Sequence, residues 1–267
     1  MKRTLTLVVC ALLGACTAGP AGADLPASFH ATGLTDIDKP TDADGNYQQG
    51  FEDSCGVAAV TSMIWAAGYN KKPDGTTADS ADALYQSIVN DINSSGTTDW
   101  SLEGGWTFAE EKAWLDDYIG ENTGKNPYTN LKQDLASGDG LNTSQLQGTF
   151  EHLTKKKFIQ LGIKPEDSGD HFVTLEGFEA TVDANGVLTG GKVFIYDSNG
   201  DLFGDGKDEY DLKLIDGQWY LADFPRSGKN AAIWSSFRLT PIPGSTVLGL
   251  MGLGTLAWWK RRKPAVT

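Results

Sequence analysis

Between Val57 and Ala67 the apolar residues Val57, Val60, Met63, Ile64 and Ala67 recur at the spacing of one helix face. Asp53 and Ser54 stand just before this run as capping residues and Gly68 just after it, so a buried helix is predicted with Cys55 in its first turn. Thr77–Ser94 repeats the pattern, with Ala83, Leu84, Ile88 and Ile92 on one side. Thr107–Glu110 reads as a capping box that opens a helix to about Ile119, with Trp106 placed as a hydrophobic staple. Weaker helical patterns cover Asn130–Ala136 and Thr143–Lys155. From Phe158 the period changes. Phe158–Ile163, His171–Val182, Lys192–Tyr196, Tyr210–Ile215, Gln218–Phe224 and Ala231–Ile242 are rich in β-formers and alternate in polarity, with a hairpin signal at Asp183-Ala184-Asn185-Gly186. Helices in the N-terminal half packed on a C-terminal antiparallel sheet give an α+β domain over residues 24–240.

Both ends fall outside that pattern. Residues 1–23 have a basic start at Lys2 and Arg3, an apolar run from Leu5 to Ala15, and small residues Ala21-Gly22-Ala23 before Asp24. That is the layout of a secretory signal peptide cleaved after Ala23. Leu13-Gly14-Ala15-Cys16 also resembles a bacterial lipoprotein box, which would place a lipid on Cys16. Residues 241–267 run from a proline pair through an apolar stretch, Thr246–Trp259, to the basic cluster Lys260–Lys263. Fourteen residues are fewer than the roughly 20 of a free-standing span. This order is similar to a PEP-CTERM sorting signal of Gram-negative bacteria, with Pro241-Ile242-Pro243 where the usual motif has Pro-Glu-Pro. The resemblance implies a protein moved across the inner membrane, anchored there briefly, then cut by a C-terminal sorting enzyme and released to the cell surface or matrix.

Charge narrows the class of partner. The 267 residues carry a net charge of −13. With the six basic residues of the two ends set aside, 16 of the 22 basic residues remain against 35 acidic ones. Such a body does not track a phosphate backbone, so no nucleic acid is expected, and the same charge favours a soluble monomer. Asp36, Asp38, Asp42 and Asp44 lack the closing glutamate of a calcium loop and read as a solvated segment, so no metal or organic cofactor is expected.

Of the three cysteines, Cys10 and Cys16 lie in the leader, which leaves Cys55 alone in the mature chain with no disulfide to make. A helix start favours a thiolate through its free N–H groups and positive dipole end. Gln49, six residues earlier, is an amide able to donate to an oxyanion. Packing alone is the competing explanation for a small residue at a helix start. Three histidines offer a base: His30 in a loop near the leader, His152 in a surface helix, and His171 at the start of a strand. Asp197 ends the next strand, and antiparallel pairing would carry it to the same end of the sheet as His171.

The series Gln49, Cys55 opening a helix, His171-Phe172-Val173-Thr174-Leu175-Glu176-Gly177-Phe178 and Tyr196-Asp197-Ser198-Asn199 resembles papain-like bacterial cysteine peptidases over most of residues 49–240. Among them it looks most like the Mac-type immunoglobulin-cleaving group of streptococci. The resemblance implies a papain-like fold, with Cys55 as nucleophile, His171 as general base and acid, Asp197 as orienter, Asn199 in place of a second aspartate and Gln49 as oxyanion donor. The Mac-type lysine ten residues before the cysteine is replaced by Gly45, so antibody as substrate does not carry over. The expected function is a secreted cysteine endopeptidase acting on protein or peptide substrates. The alternatives are a non-catalytic surface or matrix binding protein that presents Trp100, Trp106 and Trp219, or a papain-like amidase or transferase.

Overall fold

A computed structural model describes residues 25–41, 48, 51–94, 109–115, 132–135, 140–165, 169–199, 209–224 and 229–239. Cys55–Ala66 forms helix α1, and Gly56 to Ile64 are buried without a break. The helix ends as Gly68 requires. Gly68 takes φ +87°, its N–H reaches the Trp65 carbonyl at 2.8 Å and the Tyr69 N–H reaches Ile64 at 2.9 Å. These paired bonds and the buried Tyr69 beside Ile64 make a Schellman cap. At the other end Ser54 makes no side-chain cap. Its hydroxyl turns inward to the Phe51 carbonyl and the Tyr85 hydroxyl instead, because the residue is fully buried.

Helix α2 runs Ala81–Ser94, four residues later than the sequence pattern predicts. Thr77 pairs with Lys71 in an isolated bridge, and the Ser80 hydroxyl accepts the Ala83 N–H at 3.1 Å, so the true cap lies at Ser80. Residues 109–115 are helical, as expected from the capping box, of which Thr107 and Phe108 lie outside the described residues. Helix α3, Thr143–Thr154, starts on a capping box in which Asn142 and Gln145 exchange hydrogen bonds.

Eight strands occur among the described residues: β1 Ser28–His30, β2 Lys132–Leu135, β3 Phe158–Pro165, β4 His171–Val182, β5 Leu188–Tyr196, β6 Glu209–Ile215, β7 Gln218–Phe224 and β8 Lys229–Leu239. All described pairings are antiparallel. β4 pairs with β3 and β5, and the path β3-β8-β7-β6-β5 returns to it, so six strands close into a ring. Two expectations are corrected here. Lys132–Leu135, inside the stretch read as a helix, is a strand paired with β8, where a free edge outweighs local helix propensity. His30 is in β1, paired with Gly177, and not in a loop.

The ring has two faces and two cores. Inside it, Leu161, Ile163, Val173, Leu175, Val193, Ile195, Trp219, Leu221 and Ile233 meet Leu146, Phe150 and Leu153 of α3. Phe150 stacks on Phe178 with ring centres 4.3 Å apart. The second core holds α1, α2, Trp114 and Leu115 against Phe237 and Leu239. β8 reaches both through one irregularity: Ile163 pairs with Ile233, but Gly162 with Ser235. The extra residue, Trp234, reverses the alternation, so Ile233 faces the ring interior while Phe237 faces the helices.

Candidate active site

The site lies where α1 meets the starts of β4 and the end of β5. Gly56 lies against β4: a Cβ there would touch the Phe172 ring at 3.6 Å. One helical turn on, the Thr174 hydroxyl donates to the Ala59 carbonyl at 3.2 Å. This packing sets the first turn of α1 beside His171. The hairpin does the rest. Thr174 faces Tyr196 across β4 and β5, so the strands bring His171 and the residues after Tyr196 to one end, as predicted.

There the His171 Nε2 and the Asp197 Oδ1 are 2.6 Å apart, both residues nearly solvent-free. The same carboxylate oxygen accepts the Asn199 N–H at 2.8 Å, which fixes it in an Asx turn. The Asn199 amide nitrogen lies 3.5 Å and 3.4 Å from the two ring nitrogens. Nε2 is thus committed to Asp197, and the Cys55 thiol lies near enough to the ring for the charge of each to act on the other. Cys55 is partly exposed while His171 is 2% and Asp197 7% exposed, so a reactant reaches the group from the sulfur side.

The electrostatics follow from burial and contact. Burial pushes the Cys55 thiol up, but the His171 charge, its hydrogen bond, Lys39 and the Phe172 N–H outweigh it and bring the thiol to about 7. For His171, burial pulls down, and the charges of Asp197 and Cys55 with their hydrogen bonds lift it to about 9. Burial also opposes ionisation of Asp197, yet His171, the Asn199 N–H and Lys39 hold its carboxyl below the usual range. Between pH 7 and 9 the pair is therefore a thiolate beside an imidazolium.

Cys55, His171, Asp197 and Asn199 are thus brought together. Gln49 lies outside the described residues, as do Trp100 and Trp106. Trp219 is fully buried, its indole N–H directed at the Thr143 hydroxyl, so it presents nothing to a partner and that expectation is corrected. No cluster of metal-ligating side chains occurs among the described residues.

Three further residues escaped sequence reasoning. Lys39 is 5% exposed, in a segment read as solvated. Buried Ile37 and Lys39 alternate with exposed Asp36 and Asp38, and that two-residue period was the available signal. Glu111 and Gln160 are fully buried, and none of their side-chain oxygens and nitrogens has a hydrogen-bond partner at ordinary length. Burial, and to a smaller degree the Cys55 charge, raise the Glu111 carboxyl to about 8 against a downward pull from the Gln160 amide.

A family model described as the Peptidase_C39 like family matches residues 41–225. The chain belongs to that family. The match spans Cys55, His171 and Asp197. No curated protein matches this Peptidase_C39 like chain. Among solved structures, the active wild-type interpain A cysteine protease of Prevotella intermedia is similar, with 14% identity and a TM-score of 0.45, over 80% of this chain and 95% of that one.

Proposed function

We propose that the protein is an exported cysteine endopeptidase whose reactive centre is Cys55, His171 and Asp197. The observation that carries this reading is the buried 2.6 Å bond between His171 and Asp197, set against a partly exposed Cys55 at a helix start. Family membership supports peptidase chemistry. In the scheme, the Cys55 thiolate attacks a peptide carbonyl, and the carbonyl oxygen takes the negative charge. Gln49 and the Cys55 N–H hold that oxyanion, each donor contributing about 3–4 kcal/mol. As the intermediate collapses, His171 gives its proton to the leaving amine and Cys55 keeps the acyl group. Water then attacks the thioester while His171 takes its proton, and the carboxylic acid departs with the thiolate restored. Asp197 holds the ring orientation throughout, and the Asn199 amide covers the ring beside it. The leader and the PEP-CTERM-like tail support export with brief anchoring in the inner membrane.

The test is hydrolysis of a fluorogenic peptide library by the full chain and by Cys55→Ala. Cleavage by the wild type, abolished in a variant with an unchanged circular dichroism spectrum, is the expected result. A wild type that cleaves no member of the library would overturn the peptidase reading.

A further inference from the structure

Lys39 makes two contacts that join separate parts of the site. Its backbone N–H donates to the Ser198 carbonyl at 3.0 Å, in the turn between Asp197 and Asn199. Its Nζ donates to the Glu52 carbonyl at 2.6 Å, three residues before the nucleophile. One residue therefore ties the segment that leads into α1 to the segment that carries the orienting carboxylate. The ammonium is buried with this tie, and its charge acts on both Cys55 and Asp197. A buried lysine is strongly disfavoured unless its charge has partners. A backbone carbonyl alone is a modest one, and the nearby thiolate and carboxylate supply the negative charge that makes the position tenable.

We propose that Lys39 is a positioning residue of the reactive centre: it clamps the Glu52 turn to the Ser198 turn and sets one positive charge beside Cys55 and Asp197. This rests on the roles given above to Cys55 and Asp197, but not on the protein's cleaving any particular substrate. Among the described residues the titratable groups that act on the thiol are His171 from β4, Glu111 from the helical segment 109–115, and Lys39, with Asp197 after β5 on the far side of the His171 contact. Lys39 is the only one of these that is positive and not itself exchanging protons with the sulfur. Loss of its charge leaves His171 as the one cation near Cys55 among the described residues, so the thiol becomes less acidic. Loss of the clamp frees the Glu52 turn, and with it the approach of the nucleophile to the ring.

The test compares wild type, Lys39→Met and Lys39→Arg. Met keeps the length of the apolar stem without the charge, and Arg keeps the charge. The main readout is the pH midpoint of iodoacetamide alkylation at Cys55, which a residue that only fills space would not move. Lys39→Met should raise the midpoint by about half a unit to one unit, a three- to tenfold loss of thiolate at pH 6. Lys39→Arg should stay within about 0.3 unit of wild type. An unmoved midpoint in Lys39→Met, or an equal shift in both variants, overturns the proposal. If Lys39→Met does not fold, nitrogen-15 NMR of the wild type decides. A protected lysine ammonium signal, assigned to Lys39, should shift when Cys55 is carbamidomethylated, and no shift refutes the proximity. Because alkylation needs no substrate, an inactive wild type with the expected midpoints would overturn the peptidase reading and leave Lys39 in place.

Discussion

Replacing His171 by glutamine removes one charge from a buried site while filling most of the same space. In the native protein Cys55 ionises near pH 7, against an ordinary 9.0. The difference of two units corresponds to roughly 3 kcal/mol in favour of the thiolate. Burial works against that charge, and the His171 imidazolium is the largest effect that reverses it. Without it, only Lys39 and the Phe172 N–H oppose burial, so the midpoint in His171→Gln moves to about 9 or above. At pH 6 the wild-type thiol is about one-tenth ionised and that of the variant about one-thousandth. Alkylation slows by less than that ratio, because thiolate nucleophilicity rises with basicity at a slope of about 0.4–0.5. A net loss of about tenfold in rate at pH 6 is expected, together with a midpoint shift of at least about two units. The assay is intact-mass detection of carbamidomethylated Cys55 from pH 5 to 10, on protein whose fold is checked by circular dichroism. A folded variant whose midpoint stays near pH 7 refutes the reasoning, since another group would then be holding the thiolate.

Three further outcomes are expected. In Asp197→Asn the largest effect raising His171 is gone, so the alkaline limb of kcat/KM falls from about pH 9 towards neutrality; an unmoved limb would refute the assignment. The stability support from His171 is complete below its ordinary 6.5 and fades as pH climbs to about 9, whereas that from Cys55 is complete above 9.0 and is lost as pH falls through about 7. The two slopes oppose each other between pH 7 and 9; Cys55→Ala removes the second and leaves Asp197 alone to raise His171, so its urea midpoints should begin to decline at a lower pH than those of wild type, and parallel curves would contradict this. Glu111 keeps its proton up to about pH 8 when folded, against an ordinary 4.5, so folding loses stability as pH climbs through that window. Glu111→Gln should therefore raise Tm more at pH 8 than at pH 5 by calorimetry, and an equal change at both would count against a buried acid.

What could be read from the chain was whatever repeats along it. β4 was legible to the residue because His171–Val182 is a long run rich in β-formers closed by the Asp183–Gly186 turn signal, and Gly68 announced the end of α1. The meeting of His171 and Asp197 was legible too, because one hairpin with a local turn signal joins them. The start of α2 was misjudged because Thr77 belongs to a small bridge with Lys71, a pairing that leaves no periodic trace. β2 has only four residues, too few to show a period, and exists through β8, about a hundred residues away. Closure of the ring rests on pairing of β3 with β8, which no local pattern encodes. Lys39 and Glu111 were illegible for a different reason. Polarity is read as exposure, and these two are polar residues held inside by the chemistry of their neighbours.

The ring has a consequence for timing. Among the described residues before 100, Lys39 is the one side chain whose charge lowers the Cys55 thiol; the imidazolium that lowers it most arrives with β4, more than a hundred residues downstream. β4 in turn is held by β3 and β5, and the ring is complete only when β8, ending at Leu239, takes its place between β3 and β7. Contacts of such long sequence separation form late and slowly. A chain that emerges from its N-terminus therefore carries an ordinary, largely protonated thiol for almost the whole of its synthesis. The reactive sulfur comes into being with the last strand, so an incomplete copy of the protein is chemically silent towards its neighbours.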